Sequence, residues 1–164
     1  MIFTRRTVMA STLAGGIAIA ATGALARAPE IYLDDGGLFG QGWSHAVGGH
    51  DVVAYHSLQS GAAPVMGSED FRTEYKGASW IFSSQENLDA FVADPDRYRP
   101  RYGGYCAWAM ARNKLAKGDP RVWHIRDGEL FLNVSPRFKK EWLANVERDI
   151  TRADKNWPDI LDRN

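Results

Sequence analysis

"YKGASWIFSSQENLDAFVADPDRY", Tyr75 to Tyr98, is the stretch whose reading decides the fold. "FRTEYK" (71–76) and "ASWIFS" (78–83) flank Gly77 and alternate in polarity, which predicts a half-buried β-hairpin over 71–83. Ser83, with Glu86 three residues on, has the pattern of a capping box, so a helix should follow with Leu88 and Phe91 on one face. Pro95 disfavours helical geometry in the residue before it and ends that helix at Ala93 or Asp94.

Working outward, "RVWHIRD" (121–127) and "ELFLNV" (129–134) are two β-runs joined through Asp127-Gly128, a second hairpin. Ser135-Pro136 opens the last long helix as N-cap and first helical residue. Phe138, Trp142, Val146 and Ile150 recur every four residues and give that C-terminal amphipathic helix one buried stripe. "GGYCAWAMARN" (103–113) suits a short helix with Cys106 and Met110 on the same side, and a final helix or turn carries Trp157 and Leu161. Upstream, "GGHDVVAYHS" (48–57) reads as a helical turn or brief strand, and 29–47 as a glycine-rich lead-in. Two hairpins and about four short helices make an α+β domain over 48–164. No repeat is evident.

The chain begins "MIFTRRTVMASTLAGGIAIAATGALARAPE". A basic start containing Arg5-Arg6, a weakly apolar run and trailing small residues are the layout of an export signal over 1–28, resembling the twin-arginine type. The run is diluted by glycine, serine and threonine, so stable membrane insertion is not expected. Both "ALA" (24–26) and "ARA" (26–28) fit the cleavage rule, which puts the cut within 26–29 and the mature protein, soluble, in the periplasm. The whole chain balances 20 basic against 20 acidic residues, so losing three arginines and no acid leaves a net charge of −3. A mildly acidic domain gives no support to nucleic-acid binding.

Cys106 is the only cysteine, so an exported form has no internal disulfide and must rely on core packing. The thiol is a ligand, a nucleophile, or a small apolar side chain in a core. His45, His50 and His56 fall close together in sequence, and His124 lies on a predicted strand. If 48–57 packs against 103–112, His50 or His56 approaches Cys106 with Met110 one turn away. Thiolate, imidazole and thioether together suit copper, particularly Cu(I). Cys106, His50 and Asp51 can also be written as nucleophile, base and orienting group, but their spacing matches no protease or acyl-transfer signature. No phosphate loop, dinucleotide fingerprint or "HExxH" occurs.

Tyr75, Gly77, Trp80, Phe82, Phe91, Asp94, Pro95 and Tyr98 resemble the core of a YHS domain, and "HDVVAYHS" lies where that domain's opening motif sits. Together with "YGGYCAWA", "GDP", "LFLN" and "NWP", the resemblance extends over roughly 48–158 to small exported bacterial proteins of that family. It implies a small treble-clef-like core and, in many members, metal binding through cysteines. Aligned by spacing, this chain carries Ala54, Ser83 and Asn87 at those cysteine positions, and none of the three replaces a thiolate. The expectation is a non-enzymatic exported protein that binds a soft, copper-like metal through Cys106, His50, Met110 and His56. The alternative is a small-ligand or protein-partner module whose cleft is lined by Trp43, Tyr55, Tyr105 and Trp108. A thiol redox protein is the third reading.

Overall fold

Two tight turns organise the chain. Lys76 (φ 51°) and Gly77 (φ 73°) close one hairpin, Asp127 (φ 51°) and Gly128 (φ 79°) the other. Positive φ at both central residues gives a turn whose twist matches the strands it joins. The structure, a computed structural model, describes residues 27–34, 42 and 44–163. The predicted export signal up to residue 26, lead-in residues 35–41 and Trp43 lie outside the described residues.

Strand β1 (Ser68–Tyr75) pairs antiparallel with β2 (Ala78–Phe82), and β3 (Asp119–Arg126) pairs antiparallel with β4 (Glu129–Asn133). The helices are α1 (Gln85–Ala93), α2 (Pro95–Tyr98), α3 (Ala107–Met110), α4 (Pro136–Leu143) and α5 (Val146–Asn156). Short 3₁₀ turns at Ala46–Gly49, Ala54–Ser57, Arg101–Gly104 and Asp159–Arg163 complete the α+β architecture.

The second half repeats the first. Both hairpins slip register at their open ends, between Ser68 and Arg72 and between Asp119 and Trp123. Before each lies a run of three residues at positive φ, Val47-Gly48-Gly49 and Tyr102-Gly103-Gly104. An isolated antiparallel bridge follows each run at the equivalent place, His50 to Met66 and Tyr105 to Lys117. The Gly67 N–H donates to the Gly49 carbonyl (2.8 Å), as the Gly118 N–H donates to that of Gly104 (3.1 Å). Ser84 and Ser135 cap the helices after the hairpins by accepting from the Asn87 and Phe138 N–H groups. An aromatic pair locks each helix to its hairpin, Trp80 on Phe91 and Phe131 on Trp142, both with ring centroids 5.0 Å apart. The Tyr75 hydroxyl donates to Asp96 where Arg126 pairs with Glu147. Equivalent positions share a fold and few residue types, so the duplication leaves no repeat in the sequence.

Each unit has its own core, and the second hairpin lies between them. Phe131 faces Tyr102, Met110 and Trp142, while its strand neighbours Leu130 and Leu132 join Tyr55, Trp80 and Phe82. That alternation is the period-two geometry of a strand buried on both faces. Residues 28–34 form a strap across the join. The Tyr32 N–H donates to the Gly103 carbonyl (2.8 Å), the Tyr105 hydroxyl donates to the Pro29 carbonyl (2.9 Å), and Lys117 pairs with nearly buried Asp34 (2.7 Å).

The structure corrects three local readings. Ser84, not Ser83, caps α1, because Ser83 is drawn to another partner described below. The helix expected over 103–113 shrinks to the single turn α3, since Gly103 and Gly104 at positive φ and the bridging of Tyr105 and Cys106 keep the chain extended before it. The long last helix is two helices. Asn145 leaves helical geometry (φ −139°, ψ 32°), and Glu147 and Asp149 then restart it as first-turn acids. The stripe still packs inward, with Trp142 fully buried and Val146 and Ile150 against the second core.

Candidate functional site

At the centre of the first unit lies Asp51, which is fully buried. Its Oδ1 accepts the Val53 (2.9 Å) and Ala54 (3.1 Å) N–H groups. Its Oδ2 accepts the Ser83 N–H (2.8 Å), the Ser83 hydroxyl (2.6 Å) and the Asn87 amide (2.6 Å). Five donors satisfy a charge that would otherwise be costly to bury. One side chain thereby ties the opening turn to the end of β2 and the start of α1. Asp51 does not orient the neighbouring His50, whose Nδ1 donates to the Val47 carbonyl (2.9 Å).

Cys106 occupies the same place in the second unit. Its sulfur accepts the Val134 N–H (3.3 Å), the counterpart of the bond from Ser83 to Asp51. Its thiol faces Asn133 Oδ1 (3.8 Å), which also accepts the Trp108 N–H (3.2 Å). The side-chain amide nitrogen of Asn133 is buried without a partner, so this centre is the less satisfied of the two. Cys106 is 1% exposed, and burial pushes its thiol up despite N–H groups of Ala109, Val134 and Trp108 that favour the thiolate. A protonated, enclosed sulfur is a poor nucleophile.

The other predicted ligands divide between the units. Met110 lies one turn from Cys106, its N–H on the Cys106 carbonyl, and its side chain is fully buried in the second core. His56 belongs to the first unit, edge-on to Tyr98 at 5.3 Å. Burial and then the charge of Arg97 hold that imidazole below its ordinary range, favouring the neutral ring. No hydrogen bond joins His50 or His56 to Cys106. His45 pairs with Glu69 (2.7 Å). Among the described residues no group of three or more His, Cys, Asp or Glu side chains is gathered to hold a metal ion.

The aromatic cleft expected from Trp43, Tyr55, Tyr105 and Trp108 does not form among the described residues. Tyr55 is buried in the first core, its hydroxyl on the Pro120 carbonyl, and Tyr105 is buried against the second. Trp108 packs against Phe138 (4.2 Å) and the Arg112 guanidinium (4.0 Å).

A cleft of about 230 Å³ opens instead where the two units meet the end of α5. Arg97, Arg99 and Arg101 line it with Asp96 and Glu129, and Tyr102 and Trp157 form its aromatic wall. Asp96 is bound by Arg99 (2.5 Å), whose hydrogen bond, with that of Tyr75, holds the carboxyl below the usual carboxylate range. Arg101 pairs with Glu129 and Asp154, and the Tyr102 hydroxyl donates to Asp154 (2.8 Å). Arg97 pairs with no carboxylate among the described residues, its guanidinium lying 5.5 Å from the Tyr98 ring centre. The sequence signal for this site is "RYRPRY" (97–102), where arginines at every second residue sit on no strand.

Comparison with known families touches the first unit. Residues 63–102 match the YHS domain. No curated protein and no solved structure matches the chain. The matched span runs from before β1 through α2 to the Arg101–Gly104 turn, and so ends within the arginine-lined cleft. Within this YHS domain, Ser83 and Asn87 stand at positions where the resemblance places cysteines, and both bind Asp51. Their counterparts in the second unit are Val134 and Phe138, neither of which is a metal ligand.

Proposed function

We propose that this is an exported, non-enzymatic binding protein in which a YHS domain and its second copy hold a receptor cleft for a small anion. The export segment around Arg5-Arg6 supports action in the periplasm. Arg97 carries the ligand reading: a guanidinium at the cleft without a carboxylate, beside two arginines already neutralised. The cleft is smaller than a drug-sized pocket, which suits a carboxylate or phosphate ester with a short apolar body against Trp157. The test is titration of the protein with inorganic phosphate and with benzoate, followed by arginine side-chain and indole NMR signals. Saturable shifts at Arg97 and Trp157 are expected, with affinity falling about tenfold or more in Arg97→Gln, the scale of one charge-assisted hydrogen bond. Unsaturable shifts, or equal affinity in the variant, would refute it.

The YHS match favours a second reading, since the domain is associated with metal handling. On that reading Cys106 and Met110, linked one turn apart by the Met110 N–H on the Cys106 carbonyl, supply soft donors for copper, with His50 or His56 completing the set. Tight one-to-one Cu(I) binding under reducing conditions, abolished in a folded Cys106→Ala variant, would put this reading first.

A further inference from the structure

A second surface feature lies on the duplicated unit. Between β3 and α4 runs an open groove of about 270 Å³, floored by Val122, Pro136 and Leu143 and rimmed by Arg121, Lys139 and Lys140. Leu143 is 38% exposed, as is Val134 beside the start of α4. An apolar floor with a cationic rim stands out on a mature chain of net charge −3.

The charges decide what fits. Arg121 is held by Asp119 through two hydrogen bonds, which neutralises one rim position. Glu141, the nearest acid on α4, is taken by Arg137 (3.1 Å). Neither Lys139 nor Lys140 has a carboxylate partner among the described residues. Lys139 is half-buried, so its ammonium has lost part of its water and gained no counter-charge, and burial lowers its pKa. Burial lowers the pKa of His124, with the charges of Lys139 and Arg126 adding to the effect, which favours the neutral ring. The groove therefore presents an uncompensated double positive charge along a strip of exposed hydrocarbon.

We propose that this groove docks an acidic segment of a partner polypeptide, one apolar side chain seated over Leu143 and flanking carboxylates on Lys139 and Lys140. The apolar contact gives the segment its register, and the two lysines select acidic sequences and steer their approach. The site is separate from the arginine cleft, so the two readings stand or fall independently.

The test uses the whole mature chain and a fluorescein-labelled peptide with a central leucine between glutamates, followed by anisotropy. The expected result is saturable binding that weakens steeply with salt, falls about tenfold or more in Lys139→Gln/Lys140→Gln, and is unchanged in Arg97→Gln. Leu143→Ser should weaken binding of this peptide but not of one with glycine at its centre. Thermal unfolding checks that these surface variants remain folded. No saturable binding, or equal affinity in the double lysine variant, would overturn the proposal. So would equal competition by single-stranded oligothymidylate, which would make the patch a general polyanion surface.

Discussion

Asp51→Ala should destabilise the protein by about 3–5 kcal/mol, the scale for removing one partner of a buried, fully hydrogen-bonded charge. Ser83 and Asn87 can turn their side chains toward water. The N–H group of Ala54 cannot, because Ala54 is buried. A loss of that size is a large share of a single domain's total stability. Asp51→Asn should lie between, at about 2–3 kcal/mol, since Oδ1 keeps two N–H donors while the new amide meets the Ser83 and Asn87 donors head-on. Asn133→Ala, at the less satisfied second centre, should cost about 1–2 kcal/mol. Urea unfolding followed by tryptophan fluorescence gives all three. An Asp51→Ala variant within about 1 kcal/mol of the parent would show that the carboxylate does not organise the first unit.

Gly103→Ala should be nearly as damaging, and for a different reason. A Cβ at Gly103 would stand 1.7 Å from the Glu30 carbonyl oxygen, with the backbone at φ +63°. The strap cannot keep its place, so the bond from Tyr32 to Gly103 and that from Tyr105 to Pro29 are both forfeited. A cost of about 3 kcal/mol is expected, with early proteolysis at residues 27–34. Gly77→Ala is the control. Its φ of +73° is equally left-handed, but nothing lies within 4 Å of the new atom, so only the conformational penalty of about 1 kcal/mol applies. Similar thermal midpoints for the two variants would mean that the strap contributes little.

The hairpins were legible because their turns carry their own chemistry: a glycine at the second central position, between runs of alternating polarity. The cap at Ser135 was legible for the same local reason. Ser83 and Ser84 are adjacent, and only the buried carboxylate of Asp51, remote in sequence, decides which of them caps α1. The break at Asn145 is invisible to a four-residue period, since Val146 and Ile150 face the same core from a new helix as they would from an old one. The duplication was hidden because the units conserve backbone geometry rather than side chains, with Asp51 answered by Cys106 and Trp80 by Phe131. At the site, sequence proximity brought the histidines together on paper, while folding spends His50 on a carbonyl and His45 on Glu69. The arginine cleft draws on α2, the segment after it, β4 and the chain beyond α5, which no local window joins.

Cys106 is the internal counterpart of Asp51, and the function proposed above treats it as a structural sulfur with the anion bound elsewhere. Reactivity of that thiol toward a small aromatic disulfide reagent, with and without denaturant, tests this most directly. Almost no reaction is expected in the native protein and complete reaction on unfolding, at a rate limited by opening of the second core. Rapid stoichiometric reaction in native buffer would contradict it, and would return Cys106 to the position of ligand or nucleophile.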